Sequence, residues 1–143
     1  LDRKLSPPAD AAFFEGENIV VFTGKDAPAD KIDKMESRGI SVIRIEANPE
    51  AEIDFVMKKL CEFGVNYLLV EAGSRLTSSV ISSGYADELA LFTAPKILGN
   101  GTHFSEHIRI ESIDKSVALK DMRCDTSGTD LFIRGVFLCS PDL

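Results

Sequence analysis

Two hydrophobic periods run along the chain. Short unbroken apolar runs, the mark of strands covered on both faces, lie within Asn18–Thr23, Ser41–Glu46 and Tyr67–Val70. Helical spacing fills the gaps. Ile32 and Met35 define a helix that Pro28 opens, that runs through Arg38 and that Gly39 stops. Ile53, Val56, Met57, Leu60 and Cys61 line a second, whose apolar face places Cys61 in the core. Asn48 caps this helix, Pro49 suits its first turn, Glu50, Glu52 and Asp54 favour its positive end, Lys58 and Lys59 its negative end, and Gly64 ends it. A third, with Leu76, Val80 and Ile81 on one side, starts at a Ser74 cap and stops at Gly84. Beyond Gly84 only strand patterns remain. Leu89–Leu98 is interrupted by Pro95, which predicts an edge or a bulge; Ile108–Ile113 and Val117–Leu119 alternate; Leu131–Leu138 carries a last strand to Cys139. Leu1–Lys4 reads as a strand end, broken by Ser6-Pro7-Pro8. The order predicts an α/β domain with a mixed sheet. Its core is parallel, with Tyr67–Val70 at the centre and helices on both faces, and its C-terminal margin is antiparallel.

The stretch from Asn66 to Gly101 carries the candidate chemistry. Glu71 follows an apolar run, where a bare carboxylate is costly without a specific partner. Ala72-Gly73-Ser74 then leads into the third helix. A strand, a small-residue turn and a helix start form a phosphate-binding half-unit, because the first helical N–H groups lack partners and the dipole favours an anion.

Composition narrows the classes. At 143 residues the chain suits one domain, and 44% hydrophobic with 27% charged residues is an ordinary globular balance. A net charge of −7 argues against a nucleic-acid partner, and no apolar run is long enough for a membrane helix. The three cysteines, Cys61, Cys124 and Cys139, match neither a metal site nor a disulfide framework, which suits a reducing cytoplasm. The opening on a strand end predicts that the front of the domain lies outside this chain.

The run V-E-A-G-S-R-L-T-S-S-V-I-S-S-G-Y-A-D-E-L-A-L-F-T-A-P-K-I-L-G, Val70–Gly99, resembles the reductase domain of the bifunctional riboflavin-biosynthesis deaminase/reductase. Weaker likeness extends through L-D-R-K at the start and V-V-F-T-G after it. The resemblance implies a dihydrofolate-reductase-like fold. It also implies NADPH-dependent reduction of the ribosyl group of 5-amino-6-(5-phosphoribosylamino)uracil, a homodimer and a deaminase domain fused upstream. Residue by residue, Glu71 matches the family's substrate-contacting glutamate, and is placed to hold the ribose hydroxyls or move a proton. Gly73, Ser74, Arg75, Leu76, Thr77, Ser78 and Ser79 match the stretch around the cofactor pyrophosphate. Arg3 stands where the family usually has Ser beside the cofactor. The family's Thr-x-x-Asp, G-A-G-T and A-D-D-P segments are absent, so the resemblance implies that this chain holds half of the active site.

The plainer readings compete. Glu71 as a strand-end ion pair, Gly73-Ser74 as a tight turn, and Arg75 and Lys96 as solvated cations need no ligand. Asp87-Glu88 reads as a solvated turn or local cap rather than an acid pair. His103 and His107 lack the intervening glutamate of a zinc helix, so no metal is expected. Arg3, Lys25 and Arg44 flank strand ends where a 2′-phosphate could sit. A related pterin or pyrimidine reductase, and a non-catalytic nucleotide-binding or dimer-forming module, remain as alternatives.

Overall fold

In the computed structural model, which describes residues 1–138, the chain forms two compact units, Leu1–Asn66 and Tyr67–Leu143. The first holds β1 (Val20–Gly24), α1 (Ala29–Glu36), β2 (Ser41–Ile45) and α2 (Glu52–Glu62). The second holds α3 (Ser74–Ser82), β3 (Glu88–Thr93), β4 (Leu119–Ser127) and β5 (Asp130–Phe137). The α/β class with parallel and antiparallel pairing is as expected. The pairing is divided between two sheets: β1–β2 is parallel, and β3-β5-β4 is antiparallel.

In the first unit, alternation along β1 and β2 sends neighbouring side chains to opposite faces. Val21 and Val42 join Ile32 and Met35 of α1, with Leu5, Phe14 and Ile40, in one cluster. Phe22 and Ile45 join Val56 of α2, with Phe55 and Leu60, in another. The two helices therefore cover opposite faces of the parallel pair. Asn48 caps as its type dictates, its Oδ1 accepting from Ala51 N at 3.0 Å. A short 3-10 turn, Pro49–Ala51, precedes α2, which begins at Glu52. Gly39 and Gly64 take φ of 81° and 76° past the helix ends, the left-handed geometry that glycine adopts freely. Leu1–Lys4 is not a strand, yet it follows β1: Asp2 N donates to Phe22 O at 2.8 Å and Gly24 N to Arg3 O at 3.0 Å.

Four expectations need correction. Tyr67–Val70 forms no strand, and Tyr67 and Leu69 are 96% and 78% exposed. An apolar run becomes a strand only with ladder partners, and among the described residues none pairs with it. Ile108–Ile113 is also not a strand; its end turns into a 3-10 segment through Lys115 N to Ser112 O, 3.1 Å. Cys61 is exposed rather than core, because α2 turns Ile53 and Val56 inward and leaves Cys61 at its outer edge. Finally, β4 is longer than the alternation at Val117–Leu119 suggests. It is an edge strand, exposed along nearly its whole length, with a bulge between Lys120 and Arg123 that destroys the two-residue period. Pro95 falls two residues beyond β3, itself an edge strand, as a residue lacking an N–H requires. The reach of the last strand to Cys139 lies outside the described residues.

Candidate functional site

The helix start after Glu71 is built by Gly73. Its φ of −71° and ψ of 170° are non-helical, so Gly73, not the expected Ser74, is the N-cap. Ser74 is already helical, and a glycine at this position costs only tenths of a kcal/mol relative to a serine. The first intrahelical bond runs from Thr77 N to Gly73 O at 3.1 Å. The amides of Ser74, Arg75 and Leu76 therefore have no helical acceptor. A Cβ on Gly73 would meet nothing within 4 Å, so the approach to these amides is open. Glu71 is exposed two residues before the cap and makes no hydrogen bond or ion pair among the described residues.

The other side chains of the stretch divide by what they already touch. Thr77 Oγ1 donates to Ala72 O at 3.2 Å, and Ser79 Oγ to Arg75 O at 2.9 Å. Leu76 is half-buried on the apolar side of α3. Ser78 is 2% exposed, and its Oγ accepts from His107 N at 3.2 Å. Ser78 thus ties the His103–Ile108 turns to the second turn of α3. Arg75 projects to solvent with no partner among the described residues. The first turn presents amides, the Ser74 hydroxyl and one cation; Thr77, Ser78 and Ser79 are committed to the protein.

Arg3 lies in the first unit, at the carboxyl end of the parallel strands. Its backbone carbonyl receives Gly24 N, and its guanidinium grips Glu52 of α2, with Nε 2.9 Å from Oε2. The side-chain hydrogen bond that Arg3 donates to Glu52 raises the Arg3 pKa above its ordinary value, against a lowering by burial. Arg44 Nη1 donates to Lys25 O at 3.3 Å. Arg3, Lys25 and Arg44 are therefore grouped at strand ends, the usual ligand position of parallel sheets. Glu52 was invisible as a partner in the sequence: 49 residues separate it from Arg3, and only its place in a helical first turn marked it.

Of the remaining candidates, Glu88 pairs with Arg134 of β5, 2.8 Å from Nη2, so it is a cross-strand ion pair. Lys96 is exposed beyond β3. His107 Nε2 stands 4.0 Å from Glu106 Oε2. Among the described residues no cluster of three or more His, Cys, Asp or Glu could hold a metal. No helix among them is long and apolar enough to cross a membrane.

Comparison with known proteins follows the same lines. The RibD C-terminal domain family matches residues 1–133. The riboflavin biosynthesis protein RibD of Aquifex aeolicus is 30% identical over 135 residues, covering 93% of this chain and 36% of that protein. The 2,5-diamino-6-ribosylamino-4(3H)-pyrimidinone 5′-phosphate reductase of Archaeoglobus fulgidus is 26% identical over 124 residues, 80% of this chain and 56% of the relative. Among solved structures, RibD of Acinetobacter baumannii superposes with a TM-score of 0.73 at 21% identity, over 96% of this chain and 36% of that one. The fold is thus that of RibD reductase domains, which is dihydrofolate-reductase-like. The chain spans about a third of the length of the RibD relatives.

Proposed function

The chain belongs to the RibD C-terminal domain family, and from that premise we propose that it reduces the ribosyl group of 5-amino-6-(5-phosphoribosylamino)uracil to the ribityl group in riboflavin biosynthesis. NADPH is the proposed reductant. The observation that carries the reading is the juxtaposition at α3: an exposed carboxylate, Glu71, two residues before a glycine cap and three amides without helical acceptors. A pyrophosphate fits this donor set, since the amides donate, the dipole favours an anion, and Gly73 leaves room. Ser74 and Arg75 border it. Leu76, Thr77, Ser78 and Ser79 support the helix from its own surface. In the first unit, taken by itself, Arg3, Lys25 and Arg44 form a cationic group at the strand ends, with Arg3 oriented by Glu52; the preference for NADPH over NADH is what the family resemblance implies.

Bound NADPH supplies the hydride for C1 of the ring-opened sugar. The protein's part is to hold the ribose hydroxyls and to handle the proton, and Glu71 is the group placed for both. The proposed enzyme is a cytoplasmic homodimer with a deaminase domain on the same polypeptide, as the resemblance to the bifunctional family implies. A second reading rests on the Archaeoglobus relative: the substrate is the pyrimidinone before deamination. Assaying NADPH oxidation with each pyrimidine phosphate separates the two. Glu71→Gln decides the role of the carboxylate. Turnover falling by about 100-fold or more, with the melting temperature kept, supports proton handling. Normal turnover with a lowered melting temperature marks a structural carboxylate.

A further inference from the structure

The antiparallel sheet of the second unit carries a cavity of about 500 Å³ that the proposed reduction does not use. It lies over the bulge between Lys120 and Arg123, against Arg134 and Gly135 of β5. A regular ladder continuing from Lys120 opposite Val136 would set Arg123 opposite Ile133, facing away from Arg134. The extra residue shifts the register, so Arg123 stands directly opposite Arg134 and on its face of the sheet. Two costs converge there. Asp121 takes a left-handed φ of 54°. Two arginines stand as direct partners on one face of the antiparallel pair, where like charges destabilise the strands. Glu88 offsets only one of them, by binding Arg134. The Arg123 side chain makes no hydrogen bond or ion pair among the described residues. Asp121 also lines the cavity and pairs with neither arginine.

We propose that the bulge builds a phosphate-group site, in which the forked guanidinium of Arg123 holds the oxyanion and Arg134 adds its remaining donors. An anion between the arginines removes the repulsion that the register shift creates, and a planar fork suits a tetrahedral oxyanion. The Asp121 carboxylate opposes the same anion and keeps the site weak.

The test is a titration of the full chain with inorganic phosphate at neutral pH and constant ionic strength, following backbone amide signals. A second arm uses glycerol phosphate. Saturable shifts centred on Arg123, Arg134 and Gly135 are expected. Equal affinity in the two arms means that free phosphate is sufficient; a tighter ester means that a phosphorylated metabolite is read. Arg123→Gln should weaken binding about tenfold or more, and Arg123→Lys less, because a lysine keeps the charge without the fork. Asp121→Asn should tighten it. The signals of the β3–β5 pair report that each variant keeps its sheet. Absence of saturable shifts, an unchanged curve in Arg123→Gln, or weaker binding in Asp121→Asn each overturns the proposal.

Discussion

Gly24→Ala probes how the first unit holds Arg3. A Cβ at this position would lie 2.8 Å from the carbonyl oxygen of Arg3 and 3.5 Å from its carbon. Those are backbone atoms, and several bonds fix them. Asp2 N donates to Phe22 O at 2.8 Å, while the Asp2 carboxylate accepts from Lys4 N and Ser6 N at 2.9 and 2.8 Å. The N-terminal segment must therefore move as a body. Overpacking costs about 1–3 kcal/mol. Losing the bond from Gly24 N to Arg3 O adds roughly 1 kcal/mol. The variant should lose about 2–4 kcal/mol, which lowers the melting temperature of a unit this size on the order of 10–20 °C. Gly73→Ala is the steric control, because its Cβ meets nothing within 4 Å; only the poorer N-cap should tell, at about 0.5–1 kcal/mol. Denaturant melts of both variants, with NADPH affinity measured on each, provide the assay. Gly73→Ala should weaken cofactor binding, because its methyl would occupy the open approach to the helix start. A Gly24→Ala melt within about 0.5 kcal/mol of the parent would refute the claim that the segment is rigidly held.

Other outcomes follow from the packing. Met35 is 0% exposed between α1 and β1, so Met35→Ala should cost about 2–5 kcal/mol in a denaturant melt. Ser78→Ala removes the acceptor of His107 N; a loss of about 1–3 kcal/mol and faster hydrogen exchange at that amide should appear together. Glu52→Gln should change stability by only about 0.2–1 kcal/mol in a denaturant melt, the scale of a partly exposed ion pair.

Particular residues show how much was legible in the sequence. Helices α1 and α2 were readable because breakers and caps are local: Asn48, Gly39 and Gly64 act through their own backbone. Strands β1 and β2 were readable because each carries an apolar run whose side chains pack on both faces. The edge strand β4 was hidden, since Lys120, Asp121, Arg123 and Asp125 give no apolar face and the bulge breaks the period. Tyr67–Val70 misled in the other direction, because hydrophobicity marks a segment that can pair but does not supply the partner. At the candidate site, E-A-G-S located the helix start to within one residue. The commitments of Ser78 to His107 and of Arg3 to Glu52 span 29 and 49 residues, distances at which sequence spacing carries no signal.

The central claim is that the start of α3 receives the cofactor pyrophosphate. The direct measurement is a titration of the chain with NADPH and with NADH, read at individual backbone amides. The account predicts that Ser74, Arg75 and Leu76 move most, that Ser78 and Ser79 move little, and that NADPH binds more tightly. Saturable binding of NADPH that leaves the amides of Ser74, Arg75 and Leu76 unmoved would contradict it.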